Sequence, residues 1–274
     1  MKLRLDTKTS TFLKQLSNSL PQAILLTGPS GTGLGTLAHH IASQNGILLD
    51  LVEPTLKTSS SSLKSITIDR VRELYVTARG QFDQPHFIII DDADTMNASA
   101  QNALLKLLEE PARSIHFIMT SHAPDKLLPT IRSRLQVFNV PPISELESRR
   151  LLSSHGITDE LDERRLLFVA GGLPAELSRL ATNAKDRALL FEQVQLARQF
   201  AEGTTYQRLV IAQSVKDDRR GAIALIELII LLLRRSLSTN PSQGTTQQIA
   251  RLLDAAESIQ ANGNVRLQLA GAVV

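Results

Sequence analysis

Ala23-Ile24-Leu25-Leu26-Thr27-Gly28-Pro29-Ser30-Gly31-Thr32-Gly33-Leu34-Gly35 is the stretch that decides how this chain is read. A short apolar run stops at a glycine, a glycine-rich turn follows, and a helical pattern begins. Strand, glycine turn and helix form the setting of a phosphate-binding loop. Glycines let backbone N–H groups turn toward a phosphate, and the helix N-terminus adds a favourable dipole. The complete motif continues with Lys and then Ser or Thr. Here Leu34 and Gly35 stand at those places. Leucine brings no charge to the β- and γ-phosphates, and glycine has no hydroxyl for Mg²⁺. Thr36 comes one residue late, about 100° round the helix. Sliding the pattern onto Thr36 puts Gly35 at the lysine position and Leu34 at the last glycine, which is worse. Gly28, Gly31 and Gly33 are thus candidates for a degenerate phosphate cradle. On this stretch alone a plain glycine-rich turn is the alternative.

Outward from the loop, short apolar runs recur at Ile47 to Val52, Phe87 to Ile90, Ile115 to Met119 and Gln136 to Val140. Runs of this kind suit strands buried on both faces of a parallel sheet. Between them lie helix-period segments. In Asn97 to Glu110, residues Ala100, Ala103, Leu104, Leu107 and Leu108 share one face, and Pro111 stops the helix. The expected fold class is α/β, a parallel five-stranded sheet covered by helices. Pro141-Pro142 marks a boundary, and Ser144 with Glu147 makes a capping-box pattern. Beyond it only helical patterns occur, punctuated at Gly171-Gly172 and Pro174. The expected domains are 1–142, a small helical unit at 143–183, and an all-helical unit at 184–274. Thr58 to Ser62 reads as a polar surface loop, and Ser238 to Gly244 as a loop in the last unit.

A second chemical signal follows the third run. Asp91-Asp92 ends a buried strand beside the glycine loop, where one carboxylate usually holds Mg²⁺ and the next activates water. Capping of the following helix, with Asn97 and Ser99, is the alternative. Since Leu34 and Gly35 supply neither ammonium nor hydroxyl, Asp91 and Asp92 read as a relic.

Composition narrows the remaining classes. There is no cysteine among the 274 residues, which excludes disulfides, thiolate zinc sites and a cysteine nucleophile, and which suits a reducing cytoplasm. A net charge of +3 permits nucleic acid as a partner without demanding it. Met1 to Asp6 has no apolar core like a signal peptide's, and Ala222 to Leu233, interrupted by Glu227, is too short to span a bilayer. A soluble, cytoplasmic protein without membrane contact is expected.

Ile89-Ile90-Asp91-Asp92-Ala93-Asp94-Thr95-Met96 runs into Ala100-Gln101-Asn102-Ala103-Leu104-Leu105-Lys106-Leu107-Leu108-Glu109-Glu110-Pro111. Pro124-Asp125-Lys126-Leu127-Leu128-Pro129-Thr130-Ile131-Arg132-Ser133-Arg134 follows. These phrases resemble the AAA+ subunits of the bacterial DNA polymerase III clamp loader, most of all the delta-prime, non-hydrolysing kind. The resemblance is strong over about 20–140, weaker over 143–183, and returns faintly at Glu257 to Leu269. It implies an AAA+ domain, a helical lid and a helical collar. Ser133-Arg134-Leu135 sits at the family's Ser-Arg-Cys motif, so the resemblance makes Arg134 an arginine finger acting in trans on a neighbour's ATP. A surface arginine paired to a carboxylate is the alternative on pattern alone. Thr120 and Ser121 fall where the family keeps a γ-phosphate sensor. Pro174 falls where motor subunits carry a lid arginine, and Arg179 is a poor substitute. Three losses (lysine, hydroxyl, sensor arginine) fit a subunit that does not turn over ATP.

The resemblance also implies partners and cofactors. A heteropentamer with delta and gamma/tau subunits, a sliding clamp and primed DNA are expected, the DNA through the complex. The family's zinc-binding cysteines are missing, with no comparable ligands over Ala42 to Lys57, so no zinc is expected. No nucleotide is required, and ATP or ADP binding is weak or absent. Loss of the lysine costs roughly 1.5–3 kcal/mol, about ten- to a hundredfold in affinity. Clamp contact is expected around Ile68 to Ala78, through Ile68, Val71, Leu74 and Tyr75, unless those residues face the sheet. Ala222 to Leu233 is expected either to pack collars together or to form its own domain's core. Two other functions compete. One is a gamma/tau-like motor that hydrolyses ATP itself. The other is a module that holds nucleotide without hydrolysing it.

Overall fold

The computed structural model describes residues 4–56, 64–80, 82–239 and 241–272. The polar stretch at 58–62 lies outside them. The chain divides into two compact units, Met1–Ala181 and Thr182–Val274. The boundary expected at Pro141-Pro142 falls inside the first unit.

Five strands form the larger sheet of the first unit: β1 (Ala23–Thr27), β2 (Ile47–Val52), β3 (His86–Ile90), β4 (Ile115–Ser121) and β5 (Gln136–Asn139). Their order is β2-β3-β4-β1-β5, and every pairing is parallel. Side chains alternate across the pleat, so each strand feeds two cores. Leu25, Ile88, Ile90, Phe117 and Met119 meet α3 (Ile68–Thr77) and α4 (Ala98–Glu109) through Val71, Leu74, Ala100 and Leu104. Ile24, Leu26, Phe87, Ile89 and Ile118 meet α1 (Thr7–Leu16) and α2 (Leu34–Asn45) through Phe12, Leu16, Leu37 and Ile41. Phe12 also stacks on Phe138, ring centres 3.9 Å apart, tying α1 to β5.

Burial on both faces holds for β1, β3 and β4. It fails at the edges, where Ile47, Leu48 and Val137 are exposed. An edge strand has one neighbour and less cover, so its apolar run does not report two-sided burial. The apolar residues of α3 likewise face inward. Val71 and Leu74 are fully buried, Ile68 and Tyr75 pack on the same core, and the Tyr75 hydroxyl donates to the Ala103 carbonyl. Val71 and Leu74 thus face the sheet, Ile68 and Tyr75 stay half-buried, and Val76 is the most exposed apolar residue of that helix.

After β5, α5 having been the short turn Pro129–Arg132, come α6 (Glu145–Ser154), α7 (Glu160–Ala170) and α8 (Pro174–Thr182). Ser144 caps α6 through the Glu147 N–H at 3.2 Å. The Glu147 carboxylate meets Arg150 and Arg4. Ser148 is fully buried; its hydroxyl donates to the Ser144 carbonyl and accepts the Gly172 N–H, both at 3.0 Å.

The second unit contains α9 (Ala184–Glu202), α10 (Thr205–Ser214), α11 (Arg219–Thr239), α12 (Gln243–Gln260) and α13 (Val265–Gly271). Backbone helix continues through Thr239 and resumes at Gln243, so the break is shorter than Ser238 to Gly244. Ala222, Leu225, Ile226, Ile229 and Ile230 are buried, and α11 packs on α9 and α12. The apolar helix is this unit's own core, which removes its claim to be a contact surface. Glu227 takes the exposed face. At the start of α11, the Arg219 guanidinium reaches the Ile259 carbonyl and the Asn262 side chain, placing a cation at the C-terminus of α12.

Candidate functional site

The loop from Gly28 to Gly33 leaves the C-terminal end of β1 and enters α2. Gly31 and Gly33 have φ of +86° and +82°, the left-handed region where a side chain is strained. The Gly31 carbonyl accepts from the N–H groups of Ala175 (2.9 Å) and Glu176 (3.2 Å). Those are free donors of the first turn of α8, whose first residue, Pro174, needs no donor of its own. A Cβ on Gly31 would stand 2.9 Å from that of Glu176. The start of α8 is therefore seated on the loop, with its Ala175 and Glu176 N–H groups satisfied there.

Leu34 is 2% exposed and belongs to the apolar cluster beneath the sheet. Thr36 is exposed, as its angular offset predicts. A Cβ on Gly35 would stand 3.0 Å from a carboxylate oxygen of Asp91. The Asp91 carboxylate thus lies directly against Gly35 at the start of α2.

Asp91 and Asp92 end β3 as expected, but their partners are on β4. The Thr120 hydroxyl donates to Asp91 at 2.5 Å and accepts the Asp92 N–H at 2.9 Å. Ser121 donates to Asp94 at 2.8 Å. Asp92 has φ +47°. Burial raises its carboxyl above the usual range, the neighbouring charge of Asp91 adds to this, and His122 opposes it.

His122 is the residue sequence reasoning missed. Its Nδ1 donates to the Gly28 carbonyl at 2.8 Å, and its Nε2 lies 3.7 Å from Asp92. It thus links the glycine loop to the acidic strand end. A histidine two places past a β4 threonine carries no spacing signal, because the contact spans 94 residues.

Arg134 lies elsewhere. It precedes β5, which runs parallel to β1 with Gln136 beside Ile24. Gly28 abuts the Val140 carbonyl. Four residues, about 13 Å of extended chain, separate Gln136 from Val140, so Arg134 sits at the opposite end of the strands from its own loop. Its guanidinium donates to Glu109 (2.8 Å) and to the Thr130 carbonyl (2.7 Å), and about a third of the side chain is exposed. Arg132 pairs with Asp125 instead. Gln101, 3% exposed, fixes this region: it donates to the carbonyls of Met96 and Lys126 and accepts the Leu128 N–H. Leu135 packs in the core. Arg179 pairs with Glu176.

Beside the loop, a cavity of about 470 Å³ is bounded by Leu5, Gly33, Thr36, Val140, Leu151 and Pro174, among others. Thr9 also lines it, fully buried, its hydroxyl without a hydrogen-bond partner. Among the described residues there is no group of three or more His, Cys, Asp or Glu able to hold a metal ion, and no helix long and apolar enough to cross a membrane.

Known proteins are similar to this chain in sequence and in fold. A family profile described as DNA polymerase III, delta subunit, matches residues 49–144. The DNA polymerase III subunit delta' of Pseudomonas aeruginosa is 32% identical over 58% of this chain and 55% of its own length. The chain thus spans about half the length of that relative. The Bacillus subtilis subunit of the same name is 25% identical over 82% of this chain and 74% of its own. In fold, a gamma-subunit-related protein of Thermotoga maritima superposes with TM-score 0.61 at 19% identity, covering 97% of both chains. A Thermotoga maritima RuvB variant gives 0.52 at 15% identity, covering 84% of this chain and 78% of its own. By its motifs, sheet order and these matches together, the chain is similar to AAA+ clamp-loader subunits, most of all to the delta-prime subunit of bacterial DNA polymerase III.

Proposed function

We propose that this chain is a stator of a five-membered clamp loader, which helps ATP-driven loading of a sliding clamp on primed DNA without hydrolysing ATP itself. Its partners are delta and gamma/tau subunits, with clamp and DNA met through the complex in the cytoplasm. It requires no nucleotide and no zinc. The observation that carries this reading is the contact between loop and lid, in which the Gly31 carbonyl takes the N–H groups of Ala175 and Glu176. A lid seated in this way needs no γ-phosphate to hold it. Leu34 and Gly35 supply no charge or hydroxyl, so binding of ATP or ADP is weak or absent.

Arg134 then acts in trans. It is distant from its own loop, so any phosphate it meets belongs to another chain. Glu109 and Thr130 hold the guanidinium in one direction. An exposed pair of this kind is worth about 0–1 kcal/mol, so exchanging Glu109 for phosphate oxygens costs little. The rigid fork suits those oxygens, and its charge stabilises the transferring phosphoryl group. The test is ATP turnover by the reconstituted loader with clamp and primed DNA. Arg134→Ala is expected to cut it by orders of magnitude and Asp91→Ala to do little. Hydrolysis by the isolated chain, abolished by Asp91→Ala, would make it a motor instead.

The cavity beside Gly33 favours one second reading, a module that holds nucleotide without turnover. Calorimetric titration with ATP, ADP and adenosine separates the two. Binding tighter than about 10 μM, some 7 kcal/mol, supports the second.

A further inference from the structure

Strand β5 is one edge of the larger sheet, and among the described residues β1 is the one strand beside it. The Val140 N–H donates to the Thr27 carbonyl. Backbone groups alternate in direction along a strand. Gln136 and Phe138 therefore also turn to β1, while Val137 and Asn139 turn their N–H and carbonyl groups away from the sheet. Among the described residues these outward groups have no hydrogen-bond partner. Free edges are usually blunted by a proline, a bulge or a charged side chain. Gln136–Asn139 has none of these.

The flanks of the edge suit a strand laid along it. On one face Phe138 stacks on Phe12. There α1 and β5 bound a groove of about 370 Å³, with Lys8, Thr11 and Gln15 on its helical wall. Val137, directed to the other face by the pleat, is 52% exposed. Charge and backbone pattern decide the occupant. Neither α1 nor β5 contains Asp or Glu. Lys8 is exposed and forms no ion pair among the described residues. Asp6, just before α1, is engaged as its cap. Paired donors and acceptors along the edge match a peptide backbone, whereas the phosphates of a nucleic acid offer acceptors alone. A second copy of this edge would bring lysine toward lysine.

We propose that the β5 edge takes up an extended, acidic peptide segment of another protein as a sixth strand. Main-chain hydrogen bonds to Val137 and Asn139 hold the segment. Its alternate apolar side chains fill the groove beside Phe138 and cover Val137, and its carboxylates meet Lys8. This surface lies outside the stator reading and stands whether or not that reading does.

The test titrates the full chain, labelled with nitrogen-15, with the capped peptide Glu-Asp-Val-Thr-Val-Ile-Asp-Glu. Binding at about 10–100 μM is expected, with the largest amide shifts at Val137 and Asn139. Val137→Pro removes an outward donor and leaves the bonds to β1 in place, as an edge strand tolerates. It should weaken binding about tenfold or more, and Lys8→Glu about tenfold. Lys8→Glu, away from the strand, decides the matter if the proline disturbs the sheet. No binding below about 1 mM, or wild-type affinity in the folded variants, overturns the proposal. Equal affinity for the same peptide with lysine in place of its acidic residues does so too. Tighter binding of oligothymidylate that both variants abolish would make the edge a nucleic-acid surface instead. Self-association of the chain that Val137→Pro dissolves would make it a contact between copies.

Discussion

The Gly31 carbonyl lies 2.9 Å from the Ala175 amide nitrogen, joining the glycine loop to the first turn of α8. In this chain the lid helix itself satisfies the loop. Gly31 also has φ +86° with the Glu176 Cβ close by. Gly31→Ala is therefore expected to destabilise the first unit by about 1–3 kcal/mol, seen as a lower denaturation midpoint. An unchanged midpoint would show that the contact adds no rigidity.

Restoring the lysine should fail. Leu34→Lys places an ammonium in an apolar cluster where leucine is 2% exposed. The expected cost is about 2–5 kcal/mol, with no gain in ATP affinity by calorimetry. A stable variant that binds ATP tightly would mean that the cluster opens easily.

Arg134→Ala should leave the chain's own melting temperature within a degree or two, because its Glu109 pair is exposed. Turnover by the assembled loader should fall about 10³-fold or more. A large loss of stability with unaltered turnover would return Arg134 to a purely structural pair.

Asp92 gives a pH signature. Its folded-state carboxyl is raised above the ordinary 3.8 by burial and by Asp91. The native state thus binds its proton more tightly than the unfolded chain, and stability falls as pH rises from that ordinary value through the raised one. Asp92→Asn removes the penalty, and asparagine tolerates the φ of +47°. The variant should melt about 1–3 °C higher at roughly pH 8, with the gain shrinking toward pH 4. A gain that grows in acid contradicts the assignment.

Ser148→Ala tests the joint between α6 and the turn before α8. It leaves the Gly172 N–H without its partner in a buried place. The expected loss is about 1–3 kcal/mol, measured by urea denaturation.

The five strands of the larger sheet, the helix after Asn97 and the absence of lysine and hydroxyl at Leu34 and Gly35 are legible in the order of residues. These are local properties: apolar period, a cap, a side chain's length. The sequence also brought Arg134 forward, through its resemblance to a family motif. Tertiary structure alone decided which apolar runs were edges, since Ile47 and Val137 read like Ile88 until strand order is known. It turned Val71 and Leu74 inward and committed α11 to its own core. It also brought His122 to Gly28 and Ala175 to Gly31. Such contacts join residues distant in the chain, and no local propensity encodes them. They follow from how parallel strands and their crossing helices place loops at one end of a sheet, where backbone donors and acceptors must find partners.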